Sequence, residues 1–245
     1  MEANTPDLQS LLIDLVDANH ILFNEGVVDA FGHVSVRHPK QPDRFILSRN
    51  RAPGLVELDD LMVFDLDGQA IDDDRKPYLE RFIHGEIYRK RPDVMAVVHS
   101  HSASVVPFSV VKNNPLRAMC HMSGFIGQAA PIFEIRDSGG DATDLLISNS
   151  SLGTALADSL GGHPAILMRG HGSTVVAENL KKAVYRAVYL EVNAKAQAEA
   201  SRLGPIEFLT QEEAATAMKN IEGQADRPWH LWKLRAKKAR EALLS

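Results

Sequence analysis

Two histidines two residues apart, His99 and His101, close the apolar run VMAVVHSHS. In extended backbone, residues i and i+2 project to the same side, so both imidazoles can converge on one cation. A third, His171, stands in AILMRGHGSTVV between Gly170 and Gly172, where missing Cβ atoms allow close backbone approach. Three imidazoles leave one coordination position open for water or substrate, and cysteine is absent from all these segments, which disfavours a structural zinc cage. The chemistry such a site offers is Lewis-acid activation of a small oxygen-rich molecule. The pair alone also fits two partly exposed polar residues at a strand end. Glu80, four residues before His84 and on the same helical face, fits three roles: fourth ligand, proton carrier, or surface residue favoured by the helix dipole.

The elements that must position these groups follow from hydrophobic period and punctuation. Leu8, Leu11, Leu12, Leu15, Val16 and Ile21 recur at helical spacing and predict a helix over Asp7 to Asn24. HVSVR predicts a strand from His33 to Arg37, with Arg44 to Leu47 as hairpin partner and Leu61 to Asp65 as a further strand. Pro77 at a first helical turn, followed by YLERFIHGEIYRKR, predicts a helix ended by Pro92. Val94 to Val98 reads as a buried central strand. Strands at Leu145 to Ile147 and Ala165 to Met168 bracket a helix over Ser150 to Leu160, and a long helix runs from about Ala177 to Arg202. Hairpins mixed with βα units favour a mixed sheet covered by helices.

The chain has 245 residues, 44% hydrophobic and 24% charged, a composition with ample material for one globular core. We expect one domain over 1–245 with a helical extension at about 205–245. The net charge of −5 argues against a nucleic-acid partner, because neutralising phosphate needs concentrated Lys and Arg. The basic run from Lys233 to Arg240 is expected to form a solvated helix face, and Trp229 and Trp232 to serve packing. Cys120 is the single cysteine, which fits a reducing compartment. The acidic, periodic start MEANTPDLQSLLIDLVDANHILF lacks the marks of a secretory signal, and no run reaches about 18 apolar residues, so a cytoplasmic location without membrane contact is expected.

GHVSVR, the Glu-bearing helix ending in RPDVMAVVHSHS, and RGHG followed by a long helix together resemble the class II aldolase/adducin family over roughly Leu8 to Leu203. The resemblance implies an α/β fold of three layers, α/β/α, around a mixed, largely antiparallel sheet, assembled as a homotetramer with its site near a subunit interface. It matches His99, His101 and His171 to the metal ligands and Glu80 to the catalytic glutamate, with one divalent ion per subunit. Zn2+ or Mn2+ is foremost and Fe2+ or Co2+ possible. His121, in MCHMSG, falls near a proton-donating tyrosine of the aldolases and is the second candidate proton carrier, supplied from its own or a neighbouring subunit. A hydrogen-bonded structural histidine is its other reading.

The sequence departs from the sugar-phosphate members where they hold phosphate. Their Gly-Asn-Val-Ser is GHVS, so His33 replaces the Asn. Tyr78 and Leu79 replace paired serines, and the turn after the second strand reads SRNRAPG. A phosphate cradle needs small residues and free donors. Tyr78 and His33 instead offer planar surfaces, Ser48 a hydroxyl, and Arg49 or Arg51 a fork for carboxylate. KPYLERFIHGEIY, LSRNRAPG and RPWHLWK resemble the branch of the family that decarboxylates 3-hydroxy-2-methylpyridine-4,5-dicarboxylate and dihydroxyphthalates without oxidation. The expected partner is therefore a small hydroxyaromatic carboxylate. The alternatives are a retro-aldol lyase on a non-phosphorylated hydroxy acid, an iron-dependent oxygenase, and a non-catalytic adducin-like interaction module.

Overall fold

The computed structural model describes residues 7–244. MEANTP, the start of the stretch read as lacking a signal, lies outside them. Seven strands form one sheet in the order β3-β2-β1-β4-β7-β6-β5. They are β1 His33–Arg37, β2 Arg44–Ser48, β3 Leu61–Asp65, β4 Ala96–Ser100, β5 Ile132–Phe133, β6 Ala165–Met168 and β7 Gly172–Ala177. Every pairing is antiparallel except β5 with β6.

The two-residue period of the strands divides the core in two. Val34, Val36, Ile46, Ala96, Val98, Leu167 and Val175 face α1 (Leu8–Asn24), α6 (Leu180–Leu203) and α8 (Asp226–Leu244). Phe45, Leu47, Val97, Ile166, Met168 and Val176 face α2 (Arg81–Lys90) and α5 (Ser150–Leu160). Alternation on a sheet covered on both sides gives three layers. Each fully buried Val, Leu or Ile contributes about 1.5–3 kcal/mol of transfer free energy. Trp229 and Trp232 of α8 are buried against the first face. Short helices α3 (Val106–Val110) and α4 (Arg136–Gly139) interrupt the connections, and α7 (Gln211–Ile221) opens on a capping box between Thr210 and Glu213.

Four expectations are corrected. Residues 77–79 are not helical. Tyr78 hydrogen-bonds to Ser48 and to the Arg51 carbonyl, which straps the segment along β2, and the helix starts only at Arg81 with Glu80 at its cap position. Leu145 to Ile147 is not a strand, because β5 occupies the edge beside β6 and Leu145 adopts φ +70°. β4 begins two residues later than expected, since a turn bonds the Val94 N–H to the Arg91 carbonyl. The long helix begins at Leu180, capped by Asn179 accepting from the Lys182 N–H, because β7 continues to Ala177. The basic face of α8 is also less free than expected. Lys233 pairs with Asp14 and Asp17 of α1, Arg235 with Glu25, and Arg240 with Glu57.

Candidate metal centre

His99 is the fourth residue of β4, in register with His33 of β1 and Thr174 of β7. Its ring therefore lies on the α2/α5 side of the sheet, with Val97. Ser100 ends the strand and His101 follows, so the two-residue spacing carries both imidazoles to one place. Glu191 of α6 accepts hydrogen bonds from Ser102 and Ser104, fixing the chain just past His101. His171 occupies the β6–β7 turn. A Cβ at Gly172 would lie 2.1 Å from the Ser100 carbonyl oxygen, so glycine is needed for β7 to approach β4 at the ligand end. Glu80 arrives from the cap of α2 and is buried.

These four side chains form the described residues' one group of three or more His, Cys, Asp or Glu able to share an ion, all ligand atoms within 4.8 Å of one another. The Nε2 atoms of His99 and His171 each lie 2.9 Å from Nε2 of His101. Glu80 Oε2 lies 3.5, 3.9 and 3.4 Å from Nε2 of His99, His101 and His171. Bonds of about 2.0–2.1 Å at tetrahedral angles would put such nitrogens roughly 3.3 Å apart. The outer nitrogens are tied down: His99 Nδ1 donates to the Ser173 carbonyl at 3.1 Å and His171 Nδ1 to the Leu145 carbonyl at 2.8 Å. Both Nε2 atoms therefore carry lone pairs directed inward. Converging lone pairs repel unless a cation lies between them, and carbonyl-anchored imidazoles are the usual support of a metal ligand. The residues fit a divalent ion.

The electrostatics agree. Burial acts to raise the Glu80 carboxyl, but its interactions with His99, His101 and His171 outweigh it and hold the group well below its ordinary range. Burial lowers His99 to about 4, against the pull of Glu80. The other Glu80 oxygen accepts from the Ile147 N–H at 3.0 Å. The irregular 145–147 segment, read from sequence as a strand, thus supplies a carbonyl to His171 and an amide to Glu80. Of the three histidines His101 is the most open, its side chain 30% exposed.

The expected substrate-side residues divide. The His33 ring packs tilted against His99 and Tyr78, with centroids 5.0 and 4.7 Å away, and the Tyr78 hydroxyl lies 3.1 Å from Ser48 Oγ, so His33, Tyr78 and Ser48 form one wall continuous with the cluster. Arg49 and Arg51 each bind Asp60 through Nε, at 2.6 and 3.1 Å. The Arg49 fork is engaged through Nε, and its Nη groups have no partner among the described residues. Leu79 is 58% exposed. His121 is not brought to the cluster within this chain. It is exposed at the start of a 3-10 turn, beside Leu209, Glu213 and Ala217. Phe31, not singled out from sequence, is 66% exposed with its ring 6.2 Å from His101. His84, Ser35 and Tyr88 were also missed, although Glu80, His84 and Tyr88 recur every four residues.

A three-layer fold that gathers three imidazoles and a carboxylate at one end of its central strands defines a class of α/β proteins whose site could hold a divalent ion. This chain belongs to the class II aldolase and adducin N-terminal domain family, which matches residues 13–198. It is 39% identical to the decarboxylase tropJ of Talaromyces stipitatus over 237 residues, 87% of this chain and 89% of that protein, so the decarboxylase branch is the one it matches. It is also 30% identical over 186 residues to a Streptomyces roseochromogenus 4-hydroxy-3-prenylphenylpyruvate oxygenase/4-hydroxy-3-prenylbenzoate synthase, covering 75% of this chain and 64% of that one. Its fold is shared with an aldolase II superfamily protein from Pseudomonas syringae (TM-score 0.77, 21% identity, 96% and 94% of the two chains). Among the described residues no helix is long and apolar enough to cross a membrane.

Proposed function

We propose that this chain is a divalent-metal-dependent, non-oxidative decarboxylase of a hydroxylated aromatic or pyridine carboxylate or dicarboxylate. The observation that carries the reading is the aromatic Tyr78–His33 wall running directly into the Glu80–His99–His101–His171 cluster. A phosphate dianion placed there would lose hydration beside Leu79, which has no donor, and a Ser48 hydroxyl already paired with Tyr78, whereas a flat acid can lie against the rings. The relationship to tropJ supports decarboxylation.

His99, His101 and His171 would hold the ion, which would supply Lewis-acid withdrawal of electron density from the substrate's oxygens. The chain's own groups do the rest. Arg49 orients a carboxylate through its Nη groups, and Tyr78 and His33 hold the ring plane. As the ring-carbon–carboxylate bond breaks, its electron pair stays on the carbon and a proton arrives there as CO2 leaves. Glu80, held ionised, would take the ring hydroxyl's proton and pass it to that carbon, or else serve as a fourth ligand. A His121 contribution would come from a neighbouring copy in the proposed homotetramer. Zn2+ or Mn2+ suits the donor set, and a cytoplasmic location remains part of this reading.

The test is metal analysis of purified protein, then CO2 release from a panel of hydroxylated phthalates and pyridine dicarboxylates, beside L-fuculose 1-phosphate and L-ribulose 5-phosphate. Metal-dependent CO2 release from the aromatic acids supports the proposal. Cleavage of a sugar phosphate with no turnover of the acids would sink it. The Streptomyces relative's name favours one second reading, O2-dependent chemistry at an iron-filled site, which requires O2 uptake in step with product.

A further inference from the structure

A buried file of hydrogen bonds leads away from the substrate wall. His33 Nδ1 lies 2.7 Å from His84 Nε2, His84 Nδ1 lies 2.6 Å from Ser35 Oγ, and Ser35 Oγ lies 2.8 Å from the Tyr88 hydroxyl. All four residues are buried. His33 and Ser35 are two apart on β1 and so share a face of the sheet, while His84 and Tyr88 are one helical turn apart on α2.

We propose that Tyr88, Ser35 and His84 are positioning residues that fix His33 as an Nε2–H donor toward the substrate carboxylate. Two polarities would satisfy the file. In one, every proton points toward His33, which then offers N–H to the substrate wall. In the other, every proton points away, and His33 offers a lone pair. Tyr88 decides between them, because its hydroxyl hydrogen has Ser35 Oγ as its acceptor, and a buried donor left without a partner is strongly disfavoured. Tyr88 therefore donates to Ser35, Ser35 donates to His84 Nδ1, and His84 Nε2–H donates to His33 Nδ1. The remaining proton of neutral His33 must then sit on Nε2, which has no hydrogen-bond partner among the described residues. Burial raises the Tyr88 phenol, so it stays a donor, and burial lowers His84 to about 3, so it relays as a neutral ring. An N–H there offers the substrate what an uncharged amide could, and a lone pair would repel a carboxylate.

The substrate half of this inference rests on the proposed decarboxylase reading, but the polarity of the file does not. The first measurement is therefore long-range 1H–15N correlation NMR of 15N-histidine-labelled, zinc-loaded protein, with His33 assigned by His33→Gln. The expected result is the Nε2–H tautomer in the parent protein, shifting toward Nδ1–H in Tyr88→Phe, which removes the terminal donor while keeping the ring. Finding Nδ1–H in the parent, or an unchanged tautomer in Tyr88→Phe, overturns the proposal whatever the substrate proves to be. The second measurement is steady-state kinetics on the aromatic acid turned over best. Tyr88→Phe and Ser35→Ala should raise KM about tenfold, change kcat less than threefold and leave metal content intact. A fall in kcat at constant KM, or loss of metal, would mean that the file serves the cluster rather than His33.

Discussion

Each metal-site substitution removes a different part of the cluster. His99→Ala, His101→Ala and His171→Ala should each abolish stoichiometric metal binding, since two imidazoles hold an ion far more weakly than three, and turnover should fall with metal content. A His171→Ala protein that keeps its metal and its rate would exclude that residue. Glu80→Gln preserves shape but cannot carry a proton, and a rate loss of about 10²-fold or more is expected. Metal analysis of the same variant separates the two roles: retained ion marks a proton carrier, lost ion a ligand. Arg49 is held through Nε by Asp60, which presents its Nη groups ready ordered. Arg49→Ala should raise KM for the aromatic acid about tenfold, with Arg49→Lys recovering only part, because an ammonium has no fork. Unchanged KM in Arg49→Ala would point to Arg51 or to no arginine at all.

At the scale of elements, β4 and β7 must lie close enough for His99, His101 and His171 to meet, and Gly172 permits it. Gly172→Ala drives a methyl into the Ser100 carbonyl, so we expect a stability loss of about 1–3 kcal/mol together with weaker metal retention, read by thermal melting and metal analysis. Equal melting temperature and metal content would show that the strands can spread without cost. Much of this geometry was legible in the sequence, because it rests on local rules. The two-residue spacing of HSH, the Gly-His-Gly turn and the alternation of HVSVR each constrain their own neighbourhood. What was illegible depends on distant partners. The strap at residues 77–79 exists because Tyr78 reaches Ser48 and Arg51, and 145–147 is irregular because its polar atoms serve Glu80 and His171 rather than a strand neighbour. The pairing of Arg49 with Asp60, eleven residues on, leaves no local pattern. The resemblance to a family identified the carboxylate, where spacing alone left a surface residue open.

For the molecule as a whole, the four residues of the cluster come from the cap of α2, the end of β4, the loop after it and the β6–β7 turn, and an ion shared by them would act as a covalent-like cross-link. Cys120 is the chain's single cysteine, so no intramolecular disulfide can restrict its unfolded state. A metal clip over long stretches of chain can do so instead, since loop-closure entropy grows with the length enclosed. At a free metal concentration 100 times Kd the linkage is worth about 2.7 kcal/mol, roughly 5–10 °C of melting temperature for a chain of this size. Chelation should lower the melting temperature by that amount, His171→Ala should erase the response, and a parent protein indifferent to chelator would mean that the ion ties nothing together. The reactive centre would then also be the staple, and metal supply would set how long the folded molecule lasts as well as how fast it turns over.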